Sequence, residues 1–276
     1  MLNAIIAVVG AALIAWIVTA VRQKFAIGLT FVQALGYTFF RFLLGARFQG
    51  LDPQAEAGAA VLHVLSAQSR LDAWLLKSYL PIGTFHIDPM NNRQHMLALI
   101  KSVIHGRGHL CVYLPPEVEA VPETMAVLAE IGRLARDGGA RVQPIYVKGS
   151  RMSLMSYWSR EKAPRSLLPQ ITVTAAPVQS LTGVADALLA DTLVDAMMLA
   201  KFRSTNLNRT LHEAIVHAAR LYGPSREILE DALGARLSYR QMLIGVRALA
   251  ARFAALAKQG QAVGLLLPNT NSIVLA

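Results

Sequence analysis

Ala60 to Pro81, AVLHVLSAQSRLDAWLLKSYLP, passes from a short apolar run through a polar turn into a helical pattern. Val61 to Leu65 has the length and composition of a buried strand, and Ser66-Ala67-Gln68-Ser69-Arg70 is the turn. From Leu71 the apolar residues Leu71, Trp74, Leu75 and Tyr79 recur at helical spacing. Strand, polar turn and helix start is where α/β enzymes place catalytic groups, because the turn holds side chains at the sheet edge. Asp72 lies in the first helical turn, where the helix dipole favours a carboxylate.

Composition narrows the setting. A chain of 276 residues can bury a substantial core, so one main domain with additions is expected. Hydrophobic residues make up 54% of it, which calls for a membrane segment to be sought. The formal charge of +10 implies an anionic neighbour, acidic lipid or nucleic acid. The single cysteine, Cys111, cannot form an internal disulfide and reads as strand packing within an apolar run.

The N-terminus decides between the two neighbours. Leu2 to Val21 carries no charge. At about 1.5 Å per residue, about 20 residues cover a bilayer core of roughly 30 Å. Trp16 suits an interface anchor, and Arg22 and Lys24 follow the run. The excess of basic residues places the bulk of the chain in the cytoplasm, as for a bacterial inner-membrane protein. The competing reading, a cleaved signal peptide, lacks a basic region ahead of the run. Residues 1–24 are therefore read as a transmembrane anchor. Residues 25–50 are rich in aromatics and contain Gln33, Arg41 and Arg47, which suits a helix at the headgroup level. A core helix of the soluble domain is the alternative for this stretch.

Residues 51–203 alternate strand and helix patterns, giving an α/β domain with a mixed sheet flanked by helices. After the 60–81 stretch come a strand over 83–89, a helix from Asn92 to His105 and a buried strand from Leu110 to Leu114. A helix from Pro122 to Ala135, a strand from Arg141 to Val147 with Pro144 inside it, and a last strand from Ile171 to Ala175 follow. Helices are expected over Leu181–Phe202 and Thr210–Tyr222. Residues 204–276 read as a helical extension with a long Ala/Leu/Arg helix to Ala257.

The order of these features resembles the glycerophosphate/lysophospholipid acyltransferase superfamily. That family carries N-H-x4-D at the strand–turn–helix, with the histidine as base and the aspartate orienting it. Asp72 matches the aspartate, but Ala67 stands where the histidine belongs. The Asp88-Pro89 pair matches a strand of the family that ends in Asp-Pro. The phosphate-holding motif F-P-E-G corresponds to Leu114-Pro115-Pro116-Glu117-Val118-Glu119. Pro116 and Glu117 fit it and are the candidate substrate-binding residues. Val118 replaces the glycine that would let backbone approach a phosphate, and Glu119 would repel one. Residues 224–276, with Leu265-Leu266-Leu267-Pro268-Asn269, resemble the opening of adenylate-forming acyl ligases. The two together resemble the bifunctional acylglycerophosphoethanolamine acyltransferase/acyl-ACP synthetase family. No Gly-rich Ser/Thr phosphate loop is present, so adenylation is not expected.

The resemblance implies transfer of an acyl chain from acyl-ACP or acyl-CoA to a lysophospholipid, without cofactor or metal. That reaction needs a base, and a missing base removes a factor of about 10²–10⁴ in rate. Ala67 cannot supply it. His63 and His86 are the candidate replacements, each with the alternative of a sheet-facing structural histidine, while His105 and His109 flank a turn and read as solvated. Asp72 is the one candidate catalytic residue, or else a helix-stabilising carboxylate. Arg70, Arg93 and Arg107 are candidate anion contacts or plain surface charges. The reading is an acyltransferase-like membrane protein, catalytically impaired, retained to bind lipid or an acyl chain. The alternative is an active, divergent acyltransferase. A protein partner through the C-terminal extension is also expected, and a nucleic-acid role has no motif behind it.

Overall fold

Val61–Ser66 (β2) is the centre of the sheet, and its apolar run is explained by burial on both sides: its first five residues are buried. The computed structural model describes residues 2–51, 59–81, 83–88, 93–116, 122–232, 234–256, 261, 264 and 271–275. The chain divides into two compact units, Met1–Thr205 and Asn206–Ala276.

The first unit is built on a seven-stranded mixed sheet. The other strands are Arg47–Gln49 (β1), Phe85–Ile87 (β3), His109–Leu114 (β4), Arg141–Lys148 (β5), Thr172–Ala175 (β6) and Gln179–Ser180 (β7). Their order is β1-β6-β5-β2-β4-β3, with β7 also on β5. β2 runs parallel to β4 and β5, whereas β6 and β7 run antiparallel to β5. Pro144 sits where the β5 edge passes from β6 to β7, and its carbonyl accepts from Ala176 N. A residue without an N–H is tolerated at such a break in the ladder. The strand at Arg47–Gln49 was expected to be the end of a helix. β7 was not expected at all: it is two residues long and exists only because β5 offers an edge.

Two apolar layers cover the sheet. On one side Leu65, Ile145, Val147 and Val173 pack against Phe31–Leu43 (α2) and Arg70–Lys77 (α3). On the other, Leu62, Val64, Leu110, Val112 and Val142 meet Arg93–Gly106 (α4), Pro122–Asp137 (α5) and Leu189–Arg203 (α6). α6 starts later than the expected Leu181, after a turn and a short 3-10 stretch at Asp186–Leu188.

Leu2–Ile27 (α1) contains a segment, Ile6–Ile27, long and apolar enough to cross a membrane. α2 has two apolar surfaces. Ala34, Tyr37 and Phe40 are buried in the core, while Phe31, Val32, Phe39, Phe42 and Leu43 are exposed. Thr30 caps it in a reciprocal box with Gln33. The Gln33 amide also donates to the carbonyls of Lys77 and Leu80, satisfying the end of α3. The rings of Tyr37, Phe48 and Tyr79 stack, with centroids 4.2–5.4 Å apart, and join α2, β1 and the end of α3.

The second unit contains Leu211–Tyr222 (α7), Tyr239–Leu256 (α8), a short helix Asn271–Leu275 and a two-stranded sheet. The sheet, Glu227–Glu230 (β8) with Arg236–Ser238 (β9), is antiparallel. The 265–269 motif lies outside the described residues.

Gly149 ends β5 at φ +92, and a Cβ there would meet Gln170 O at 2.0 Å. Gly149→Ala should therefore lower the unfolding free energy of the full chain, read from denaturant titration, by more than the roughly 1–3 kcal/mol of backbone strain alone. Gly139→Ala, at φ +66 in open space, should show only the roughly 1–2 kcal/mol left-handed penalty. Equal losses for the two would refute the steric account.

Candidate functional site

The turn after β2 is organised by a buried carboxylate. Asp72 has no exposed surface. Its Oδ2 accepts from the backbone of Gln68 at 2.6 Å and of Ser69 at 3.1 Å, and its Oδ1 accepts from Ser69 Oγ at 3.1 Å. Ser69 in turn accepts from Leu71 N and caps α3. The Ser150 hydroxyl adds a further hydrogen bond to the carboxylate. Burial pushes the Asp72 acid up to about 6, against the opposing pull of these donors.

Ala67 is buried and uses its backbone N–H on Leu114 O. The next residue occupies the turn. Gln68 donates to Ser66 O and Ser66 Oγ, and its carbonyl oxygen accepts from Trp158 Nε1 at 2.7 Å. Trp158 belongs to a strap after β5 that runs alongside the turn. Tyr157 N donates to Gln68 O, Arg70 N donates to Met155 O, and Ser69 bridges Ser156. Arg165 holds the strap by donating to the carbonyls of Ser156 and Trp158. None of Gln68, Ser150 or Trp158 was singled out from sequence. Trp158 is ninety residues from Gln68 in the chain, and nothing local signals the pairing.

No histidine is among the hydrogen-bond partners of Asp72 described here. His63 is buried, as a sheet-facing histidine would be, and its Nε2 lies 3.2 Å from Nδ1 of His109. His109 is therefore half-buried and engaged, not solvated as expected. His86 Nδ1 lies 2.6 Å from Tyr113 Oη. Burial, with His109 beside it, holds His63 down to about 3, and burial with Lys77 nearby holds His86 down to about 4. Both rings are neutral at pH 7. In register, Gln143, His63, Cys111 and His86 form one row across β5, β2, β4 and β3. The row lies on strands, whereas Asp72 lies on α3.

Pro116 follows β4 and is half-buried, and Pro115 O accepts from Ser66 Oγ at 2.9 Å. Glu117, Val118 and Glu119 lie outside the described residues, as do Pro89 and Asn92. Arg70 and Arg107 are exposed, and of Arg93 only the backbone is described. Trp74, expected on the core side of α3, is instead 52% exposed, and Leu76 takes the inward position. Among the described residues no group of His, Cys, Asp and Glu side chains is arranged to hold a metal.

No family model matches the sequence. Among solved structures the chain is similar to the 1-acyl-sn-glycerophosphate (LPA) acyltransferase PlsC from Thermotoga maritima. The match has 9% sequence identity and a TM-score of 0.41, over 64% of this chain and 82% of that one.

The raised pKa of Asp72 has a consequence for stability. The folded state holds this proton more tightly than the unfolded chain, whose carboxyl titrates near 3.8. Its contribution is complete below that value and is lost as pH rises through about 6. The stability of the wild type relative to Asp72→Asn should fall across this window by up to about 3 kcal/mol. Denaturant midpoints of both proteins measured from pH 4 to pH 7 test it, and a wild type that gains on the variant as pH rises would contradict the assignment.

Proposed function

We propose that this chain is a membrane-anchored, acyltransferase-like protein that no longer transfers acyl chains and is kept as a lipid- or acyl-chain-binding accessory. The observation that carries the reading is the state of the motif position. A buried methyl group stands where an imidazole must accept a proton, and the carboxylate that would orient an imidazole is already bonded to Gln68, Ser69 and Ser150. A base and its orienter work only within hydrogen-bond reach of each other. The strap from Gly149 to Ser166 reinforces the reading, since its Trp158 ties down the Gln68 side chain beside that position.

Asp72 on this reading is a structural acid that joins β2 to α3. The lipid-facing role draws support from the apolar α1, the exposed aromatics of α2 and the basic balance of the chain. The bulk of the chain lies on the cytoplasmic side, by the placement of Arg22 and Lys24. Residues 206–276 serve as a contact for a protein partner and perform no adenylation. The alternative of an active enzyme using His63 or His86 requires one of those rings to leave His109 or Tyr113 and reach an acid on another element.

Full-length protein in vesicles, given lysophosphatidic acid and acyl-CoA or acyl-ACP, should show no turnover above a protein-free blank. Asp72→Ala should leave that rate unchanged while lowering stability by about 1–3 kcal/mol, because the buried Gln68 and Ser69 donors lose their acceptor. Turnover that disappears in Asp72→Ala would falsify the reading.

A further inference from the structure

Three segments lie side by side at the edge of the sheet where β2 and β5 end. The antiparallel bridge Ser69–Ser156 joins the turn before α3 to the strap, and the parallel bridge Ser153–Ser166 joins the strap to its own return. Ser166 N donates to Met152 O, and Arg165 spans the two arms through the carbonyls of Arg151 and Ser156. The segments therefore form one stitched platform.

What this platform presents is unusual for a surface facing water. Leu154, Met155 and Tyr157 are exposed on the strap, Leu167 (75%) and Leu168 on the return, and Trp74 on α3. Contiguous exposed apolar groups of this size mark a contact surface. Interspersed with them are exposed Arg70, Arg160 and Lys162, and residues 151–168 hold four basic residues against one acidic one. Aromatic and branched apolar side chains among cations suit the headgroup boundary, where rings and aliphatic groups enter the acyl edge and cations meet phosphates. A protein interface of this kind is instead depleted in charge at its centre.

We propose that the platform formed by residues 68–74 and 151–168 docks onto the surface of an anionic bilayer, giving the first unit a second membrane contact besides α1. The occupant is the lipid surface itself because the strap presents Leu154, Met155 and Tyr157 together with Arg160 and Lys162 and because the same unit carries a helix able to span a membrane. Two separated contacts fix orientation, which one flexible tether does not. This rests on the lipid-facing reading of the chain, but depth is read here, and turnover is not.

The experiment is site-directed spin labelling of the full chain in vesicles. Cys111 has no exposed surface and burial pushes its thiol up to about 12, so it does not compete for label. One label goes at Leu167→Cys. A reference label goes at Asp137→Cys, just before β5 begins and hence at the opposite edge of the sheet. In vesicles with about a third phosphatidylglycerol, the label at 167 should sit about 5–10 Å into the boundary. Its accessibility to a water-soluble nickel reagent should be at least about threefold below that at 137, with oxygen accessibility raised. Arg70→Glu with Arg160→Glu should return the label at 167 toward the reference value. Equal accessibility at 167 and 137 overturns the proposal. Protection accompanied by spin–spin broadening, which marks a second copy on the platform, overturns it too, as does equal protection on vesicles of phosphatidylcholine alone. Acyl transfer detected in the separate turnover assay would refute inactivity and leave this depth measurement standing.

Discussion

A carboxylate removed from water must either be met by donors or keep its proton, and Asp72 does some of both. Two backbone N–H groups and two hydroxyls converge on it, and burial still lifts its pKa to about 6. The donors come from the turn, the helix cap and the segment after β5, so the carboxylate fixes how three pieces of chain meet. Buried polar groups carry a desolvation penalty of about 1–3 kcal/mol when left unpaired, so no one of these pieces can move away without cost. The register of β2 into α3 and the seating of the strap both follow from it.

The sheet itself is asymmetric in chemistry. Its α4–α5–α6 side is mostly aliphatic, whereas the α2–α3 side carries Gln143, His63, Cys111 and His86 in one row. Those groups stay neutral because their surroundings exclude the charged forms, as the lowered values of His63 and His86 and the raised value of Cys111 state. A neutral row of small dipoles can be enclosed where a charged one could not. The same argument explains why the histidines pair with one another and with Tyr113 and not with an acid.

Much of the first unit was legible in the sequence because its signals are local. β2 is an apolar run, α3 opens with a serine cap and an acid three residues on, and β4 and β5 have strand length and composition. The hidden parts depend on distant partners. β7, β8 and β9 are two to four residues long and take their identity from the strand beside them. Trp74 falls on the helical apolar spacing, yet Leu76 fills the core and leaves the indole outside. His109 looks like a turn residue until β2 brings His63 alongside it. The turn after β2 was plain from its residues, but what holds it was not, because Trp158 reaches Gln68 across ninety residues.

α2 offers a last consequence. Its inner side closes the core through Tyr37 and caps α3 through Gln33, so it belongs to the globular body. The seam between the greasy rod and that body thus falls at Gly28 to Thr30, where the backbone turns at φ +75 and a new cap begins. Proteolysis at this seam would release a folded fragment still coated on one flank by Phe31, Val32, Phe39 and Phe42. Such a fragment is a detergent-loving particle without an anchor, and it separates with the micelles instead of the buffer.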